Sequence, residues 1–406
     1  MGPLRGIRVL DLSRVLAGPF CTMSLGDLGA EIIKVEEPGS GDETRGFGPP
    51  FVNGVSTYFL SINRNKKSLA VNLKHPDGLG LVQALAARSD VVVENFRPGV
   101  AERLGLGPDR LRSENLRLIY CSISGFGHQG LAEYCRLPGY DAVMQGLAGL
   151  QHLTGQPGGP PTKVGISIAD ILTGMTAMQA ILLALYSRER SGIGSRLDIS
   201  MFDSTVQSLT FQAAAHLIAN RNPGRLGNRH ASIVPYETFQ AKDGYLNLAV
   251  ANDGQFKKLC QLLGTPALAE DPRFAQNRSR VENREELVEK LGAVFRTRPV
   301  EEWVQTLQAA GIPAGAILDL AQLLAHPQLA ARGMLVSADH PMLGKIRMVG
   351  SPINAPPPDE AAGFLPPPAL GEHTEQILTS VLGLGSRDVR RLIAAGAVAV
   401  KSEELG

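Results

Sequence analysis

Residues 69–99 read LAVNLKHPDGLGLVQALAARSDVVVENFRPG, and this stretch sets the architecture. Leu69–Leu73 is a short apolar run, and the segment from Pro76 is helical in pattern, with proline where the first turn tolerates it. Asp90–Glu94 (DVVVE) is a second apolar, β-branched run. A strand, a helix and a strand at this spacing form one βαβ unit, whose strands pair in parallel. Similar runs lie on both sides: Ile7–Leu12 (IRVLDL) and Glu31–Val35 (EIIKV) before it, Leu116–Ser122 (LRLIYCS) and Arg196–Ser200 (RLDIS) after it. Near-continuous apolar strands separated by helices predict a Rossmann-like, open parallel α/β sheet. In such sheets ligands sit beyond the carboxyl ends of the strands, which is where VENFRPG (residues 93–99) falls.

Composition narrows the class of function. The chain has 406 residues, long enough for two or three domains, and 40 basic against 39 acidic side chains. That balance argues against a nucleic-acid binder, which carries a basic surplus. Four scattered cysteines without a CxxC pair suit neither a disulfide framework nor a structural zinc site. No secretory pattern opens the sequence, and the apolar run Ile171–Tyr186 is short for a membrane span and abuts Asp170. A buried core helix in a soluble cytoplasmic enzyme is expected, with the mitochondrial matrix as the setting if a transit peptide has been removed.

Three changes of pattern mark the domain organisation. Residues 1–220 form the first part of a large α/β domain. The Gly-, Asn- and Arg-rich run NRNPGRLGNRH (220–230) reads as a linker into a smaller α+β domain, residues 225–325. Within it YETFQ and YLNLAV flank Lys242-Asp243-Gly244 as a hairpin, and helices are expected near 256–263, 284–295 and 300–310. Residues 326–370, with two PPP runs between Pro352 and Pro368, are expected to be an extended connection. Residues 371–406 return to helical patterning and rejoin the large domain.

Common cofactor chemistries leave no signature. No GxGxxG follows the first strand, where the sequence is SRVLAGP, and no P-loop, GxSxG elbow or HExxH is present. Asp170 is instead the sole charged residue between Gly165 and Ser187. It suits an N-cap of the apolar helix, and a carboxylate held there by the helix dipole also suits a covalent nucleophile. The loop GQPGGPPTKVG (155–165) before it would let a substrate approach closely. Arg64, Lys66, Lys67 and Lys74, in NRNKKSLAVNLK, form a run of cations without an acid, read either as a solvated loop or as a holder of phosphate groups.

Six blocks occur in order: LDLSRVLAGPF, LGAEIIKVEEPGSGD, INRNKKSLAVNLK, VENFRPG, GYDAVMQGLAGL and the Asp170 segment. Together they resemble the class III, formyl-CoA transferase-type, coenzyme A transferases, whose relatives include α-methylacyl-CoA racemase. GNRHASIVPYETF (227–239) and ALGEHTEQIL (369–378) extend the likeness over nearly the whole chain. The pattern is most similar to the succinate–hydroxymethylglutarate CoA-transferase branch. The resemblance implies that CoA passes from an acyl-CoA such as succinyl-CoA to a carboxylic acid, in this branch a dicarboxylic one, with Asp170 as nucleophile and aspartyl anhydride and aspartyl-CoA thioester intermediates. It implies CoA contacts at Lys74, Asn95, Phe96, Arg103 and Arg136, no metal and no cofactor, the CoA thioester being a substrate. It also implies an interlocked homodimer whose large domain is built from both chain ends. Leu16 stands where some formyl-CoA transferases carry Gln, which argues against formyl-CoA and oxalate as the substrate pair.

Two alternatives remain at this level. A racemase of the same fold needs a second proton-transfer group, and that branch has a His where this chain has Tyr140 in Gly139-Tyr140-Asp141. His128 and His152 lie nearby in sequence without a motif. A non-catalytic acyl-CoA-binding protein is the other alternative, opposed by the retained Asp170. His230 and Tyr236, near the linker, are candidate acid-pocket residues.

Overall fold

The structure, a computed structural model, describes residues 2–353 and 364–401. Six parallel strands build the main sheet: β1 (Arg8–Asp11), β2 (Glu31–Glu36), β3 (Lys66–Val71), β4 (Val91–Glu94), β5 (Ile119–Ser124) and β6 (Arg196–Ser200). Three antiparallel strands elsewhere are β7 (Tyr236–Gln240), β8 (Tyr245–Ala249) and β9 (Ala314–Ala316). A hairpin follows, β10 (Leu335–His340) and β11 (Gly344–Val349), and then the short β12 (Val398–Ala399). The main sheet runs β12-β3-β2-β1-β4-β5-β6, with β12 antiparallel to β3. Its parallel part therefore has the doubly wound order 3-2-1-4-5-6, which reverses between β1 and β4. The chain is a mixed α/β protein with a large, mostly parallel sheet.

Strand alternation explains the two cores. Along β1 and β2, Leu10 and Ile33 face one side, and Val9 and Ile32 the other. The first face is covered by α2, which spans Pro76–Ala87 and is numbered after α1 (Ala17–Asp27). Helices at the C-terminal end of the chain join it through Ile377 and Leu392. The second face is covered by α1 and, following α3 (Asp141–Leu147), by the long helix α4 (Ile168–Ser191). Among the described residues α4 alone is long and apolar enough to cross a membrane, but Ala177 and Ile181 are fully buried in this core. One face of the helix packs on the sheet as a core helix would, while Leu183 and Tyr186 on it are exposed.

Two compact units result, one of Met1–Leu150, Lys163–Ala214 and Ala330–Gly406, the other of Gln151–Thr162 and Ala215–Leu329. The first draws on both ends of the chain. In the second, Leu246 and Leu248 of β8 point into a core with Phe239, Phe256, Phe295 and Trp303, and the Trp303 indole donates to the Phe295 carbonyl at 2.8 Å. The hairpin lies where Lys242-Asp243-Gly244 signalled it.

The structure corrects several boundaries. β3 begins at Lys66 rather than Leu69, because Lys66 and Ser68 are buried despite their polarity. The expected extended connection contains the β10–β11 hairpin, and its residues 354–363 lie outside the described residues. The C-terminal segment ends in a strand, β12, paired as Val398↔Val71.

Candidate active site

At the strand-order reversal the loops after β1 and β4 lie side by side, and Asn95 joins them. Its carboxamide oxygen accepts from the Arg14 N–H (2.9 Å), and its Nδ2 donates to the Arg14 carbonyl (2.7 Å). Val15, next in the loop, sits at φ +69°, a left-handed conformation that is strained for a β-branched residue. The Asp42 carboxylate accepts from the Val15 N–H at 3.3 Å.

Two cavities open over these loops. The first, about 280 Å³, is lined by Arg14, Lys34, Asp42, Asn72, Lys74 and Phe96 among others. The second, about 170 Å³, includes Arg14, Asn95, Phe96, Ser124, Tyr140 and Asp170 in its wall. They share Arg14 and Phe96, so a groove leads from Lys74 past the Phe96 ring to Asp170. Three of the residues implied by the resemblance, Lys74, Asn95 and Phe96, thus line one groove with Asp170. Phe96 is half-buried against the sheet core rather than fully exposed. Arg103 and Arg136 are exposed and line neither cavity, although Arg103 lies on the short helix whose first residue, Val100, walls the first.

Asp170 is the third residue of α4, not its N-cap, which is Ser167 without a side-chain cap bond. The capping function is met from outside the helix. Asp141, at the start of α3, accepts from the Ala169 N–H at 2.9 Å. Gln145, one turn along and fully buried, donates through Nε2 to Asp141 (2.8 Å) and accepts the Val164 N–H (2.8 Å) through Oε1. Asp141 and Gln145 therefore clamp the chain on both sides of Gly165–Ser167. Burial, then the Asp141 charge, push the Asp170 carboxyl up to about 7. Tyr58, hydrogen-bonded to Ser167, has its phenol pushed up by burial and then by the Asp170 charge, which places it beside the site. A half-buried carboxylate with no cationic partner among the described residues is poised between its ionised and neutral forms.

The basic run behaves differently from its phosphate-holding reading. Lys66 is fully buried and donates to Asp11 (3.2 Å) and to the Pro19 carbonyl (2.9 Å). Burial pushes its ammonium down to about 8, against the pull of Asp11. Burial would also push Asp11 up, yet Lys66 and Lys34 hold its carboxyl below the ordinary range. Arg64 grips Asp27 through two nitrogens (2.9 and 2.5 Å), and Lys67 pairs with Glu31 (2.7 Å). Of the four cations only Lys74, exposed and loosely paired with Glu37 at 3.3 Å, faces the groove.

No histidine lines the Asp170 cavity among the described residues, and its wall carries Tyr140 instead. His128 is fixed through its backbone N–H to Asp198 (2.9 Å), and His152 belongs to the second compact unit. His230 and Tyr236 pack ring to ring in that unit, centroids 5.0 Å apart, and line neither cavity. Sequence reading missed Arg14, Tyr58, Asp141 and Gln145. Asp141 and Gln145 had a local signal, an acid and an amide one helical turn apart in GYDAVMQG. Tyr58 had none, being apposed to Asp170 only by the fold.

Comparison with known proteins gives a consistent set of likenesses. The profile of CoA-transferase family III matches residues 4–374. The succinyl-CoA:glutarate CoA-transferase of Mus musculus is 44% identical over 398 residues, covering 98% of this chain and 91% of the mouse protein. The succinate–glutarate CoA-transferase of Agrobacterium fabrum is 40% identical over 388 residues, 93% of this chain and 96% of that protein. Among solved structures, a CAIB/BAIF family protein from Brucella suis superposes with a TM-score of 0.82 at 40% identity, covering 94% of this chain and 99% of that one.

Proposed function

Because the chain belongs to CoA-transferase family III, we propose that it moves CoA from succinyl-CoA to a dicarboxylic acid, glutarate being the first to test, with Asp170 as nucleophile. The observation that carries this reading is the groove running from Lys74 past Phe96 to the half-buried Asp170 carboxylate. Lys74 and Arg14 offer cations to CoA phosphates in a cavity where Glu36, Glu37 and Asp42 balance the charge overall. The Phe96 ring suits an aromatic base or the pantetheine chain, and the thioester would then lie at Asp170.

The Asp170 carboxylate attacks the thioester carbonyl, the C–S bond breaks, and CoA leaves as the thiolate, giving an aspartyl–acyl anhydride. The thiolate attacks the Asp170 acyl carbon and expels the donor acid as its carboxylate, leaving an aspartyl-CoA thioester. The acceptor carboxylate repeats the exchange in reverse, and the final thiolate attack on its acyl carbon regenerates the Asp170 carboxylate. No net proton is consumed, and the activated acyl bond is conserved at each step. Asp141 and Gln145 hold the start of α4 still, so that Asp170 keeps its place through four attacks.

The working unit is an interlocked homodimer in this reading, supported by the apolar helix over 210–219, none of whose residues is buried in the single chain. The setting is the cytoplasm, or the mitochondrial matrix where a leader has been removed. Incubating the protein with succinyl-CoA and searching the Asp170 peptide for a CoA adduct by mass spectrometry tests the chemistry. Turnover without an adduct, or an Asp170→Ala variant that retains transfer, overturns it.

A further inference from the structure

A third cavity, about 470 Å³, shares Leu16 with the Asp170 cavity and is walled by Ser167 and Ile171, which flank Asp170 on α4. Its lining mixes apolar side chains, among them Phe20, Met23 and Ile62, with the Tyr58 and Ser167 hydroxyls. Three charged residues reach it: Asp27, Arg64 and Lys163. Asp27 and Arg64 neutralise each other through the paired bonds at 2.9 and 2.5 Å, and both side chains are almost fully buried. Lys163 is exposed, donates only to the neighbouring Val164 carbonyl at 3.3 Å, and has no acidic partner among the described residues. The cavity therefore carries one uncompensated positive charge, apolar walls, and a position next to the nucleophile.

We propose that this cavity is the acid subsite and that Lys163 pairs with the distal carboxylate of a short aliphatic dicarboxylate. The methylene chain lies along Phe20 and Ile62, and the near carboxylate is presented to Asp170 beside Tyr58. This inference rests on the transferase reading and adds to it the residue that selects two carboxylates over one. The distal carboxylate of a succinyl donor would use the same ammonium, so one site serves both halves of the exchange. Lys163 acts on binding alone, since the reacting carboxylate is at the other end of the acid. Its flexible stem would let one charge serve acids of different length.

The test compares glutarate with pentanoate, the same chain lacking the second carboxylate, as acceptors from succinyl-CoA. In a double-displacement reaction, acceptor kcat/KM reports only the step after the aspartyl-CoA thioester has formed. Lys163→Gln is expected to lower kcat/KM for glutarate roughly 10- to 100-fold and to change that for pentanoate less than about twofold. Lys163→Arg is expected to recover most of the glutarate value. A Gln variant with an unchanged glutarate-to-pentanoate ratio overturns the subsite, whether its rates fall or not. Where pentanoate turnover is undetectable in both proteins, loss with glutarate at an unchanged melting temperature, restored by Arg, supports it, and retention overturns it. Wild-type protein that forms neither glutaryl-CoA nor an Asp170 adduct overturns the transferase reading itself, a result distinct from a failure at Lys163.

Discussion

At the residue scale, Asp170 shows a compromise between reactivity and availability. Burial and the Asp141 charge hold its carboxyl near 7, so an appreciable fraction is protonated and unreactive at neutral pH. In the proposed mechanism attack by Asp170 needs the ionised form, so kcat/KM for the acyl-CoA donor should climb with pH through about 7 and level off above it. Asp141→Asn removes the like charge; its one amide oxygen still accepts from the Ala169 N–H, while its NH2 gives up the bond from Gln145 Nε2. The midpoint should then move to lower pH, by roughly half to one unit, and the plateau should fall several-fold because a weaker base is a weaker nucleophile. A pH profile of donor kcat/KM for both proteins decides the matter. A purely structural Asp141 would lower the plateau and leave the midpoint in place. The same residues show where sequence reading reaches its limit. Asp170 was legible as a lone charge in an apolar helix, whereas Tyr58 and Lys163 acquire meaning only through a cavity shared with residues far away in sequence.

At the scale of elements, the site depends on how tightly α1 lies against α4. Gly174 permits that approach: a Cβ there would stand 2.6 Å from the Ala17 carbonyl oxygen and 3.0 Å from the Phe20 ring. Gly174→Ala should force the two helices apart, costing about 1–3 kcal/mol from overpacking against about 1 kcal/mol that Ala gains over Gly inside a helix. Leu16 and Ala17, which wall the Asp170 cavity, would move with α1. A lower melting temperature together with a kcat loss of roughly tenfold or more is expected; a variant as active and as stable as wild type would show that α1 is not a fixed wall. The strands β1, β2, β4 and β5 were readable because parallel strands buried on both faces are near-continuous apolar runs, and the edge strand β6 because Leu197 and Ile199 alternate with polar residues. The start of β3 was not, because Lys66 is a charge that a single sequence assigns to solvent. Its burial is tolerated through Asp11, 55 residues earlier, and no local pattern records such a partner. β12 has two residues and exists by pairing with β3 rather than by propensity.

For the whole molecule, the helix over 210–219, TFQAAAHLIA, is notable for burying none of its residues in the single chain. A helix of this composition ordinarily faces a core, yet Leu217 is 81% and Ile218 85% exposed. Leaving two large aliphatic side chains in water forgoes roughly 1.5–3 kcal/mol apiece, a cost that a second copy of the chain would remove. The linker composition around Asn220 and the return of the chain end to the main sheet suit a subunit that threads its partner. Light scattering should accordingly give wild-type protein twice the mass of one chain at micromolar concentration. The double substitution Leu217→Asp and Ile218→Asp places two carboxylates on that face and should shift the population to monomer. If the dimer is interlocked, transfer activity should fall with the dimer fraction and recover as protein concentration rises, because association would supply part of each working site. Wild-type protein that scatters as a monomer, or an Asp variant that stays dimeric with full activity, would remove this face from the interface.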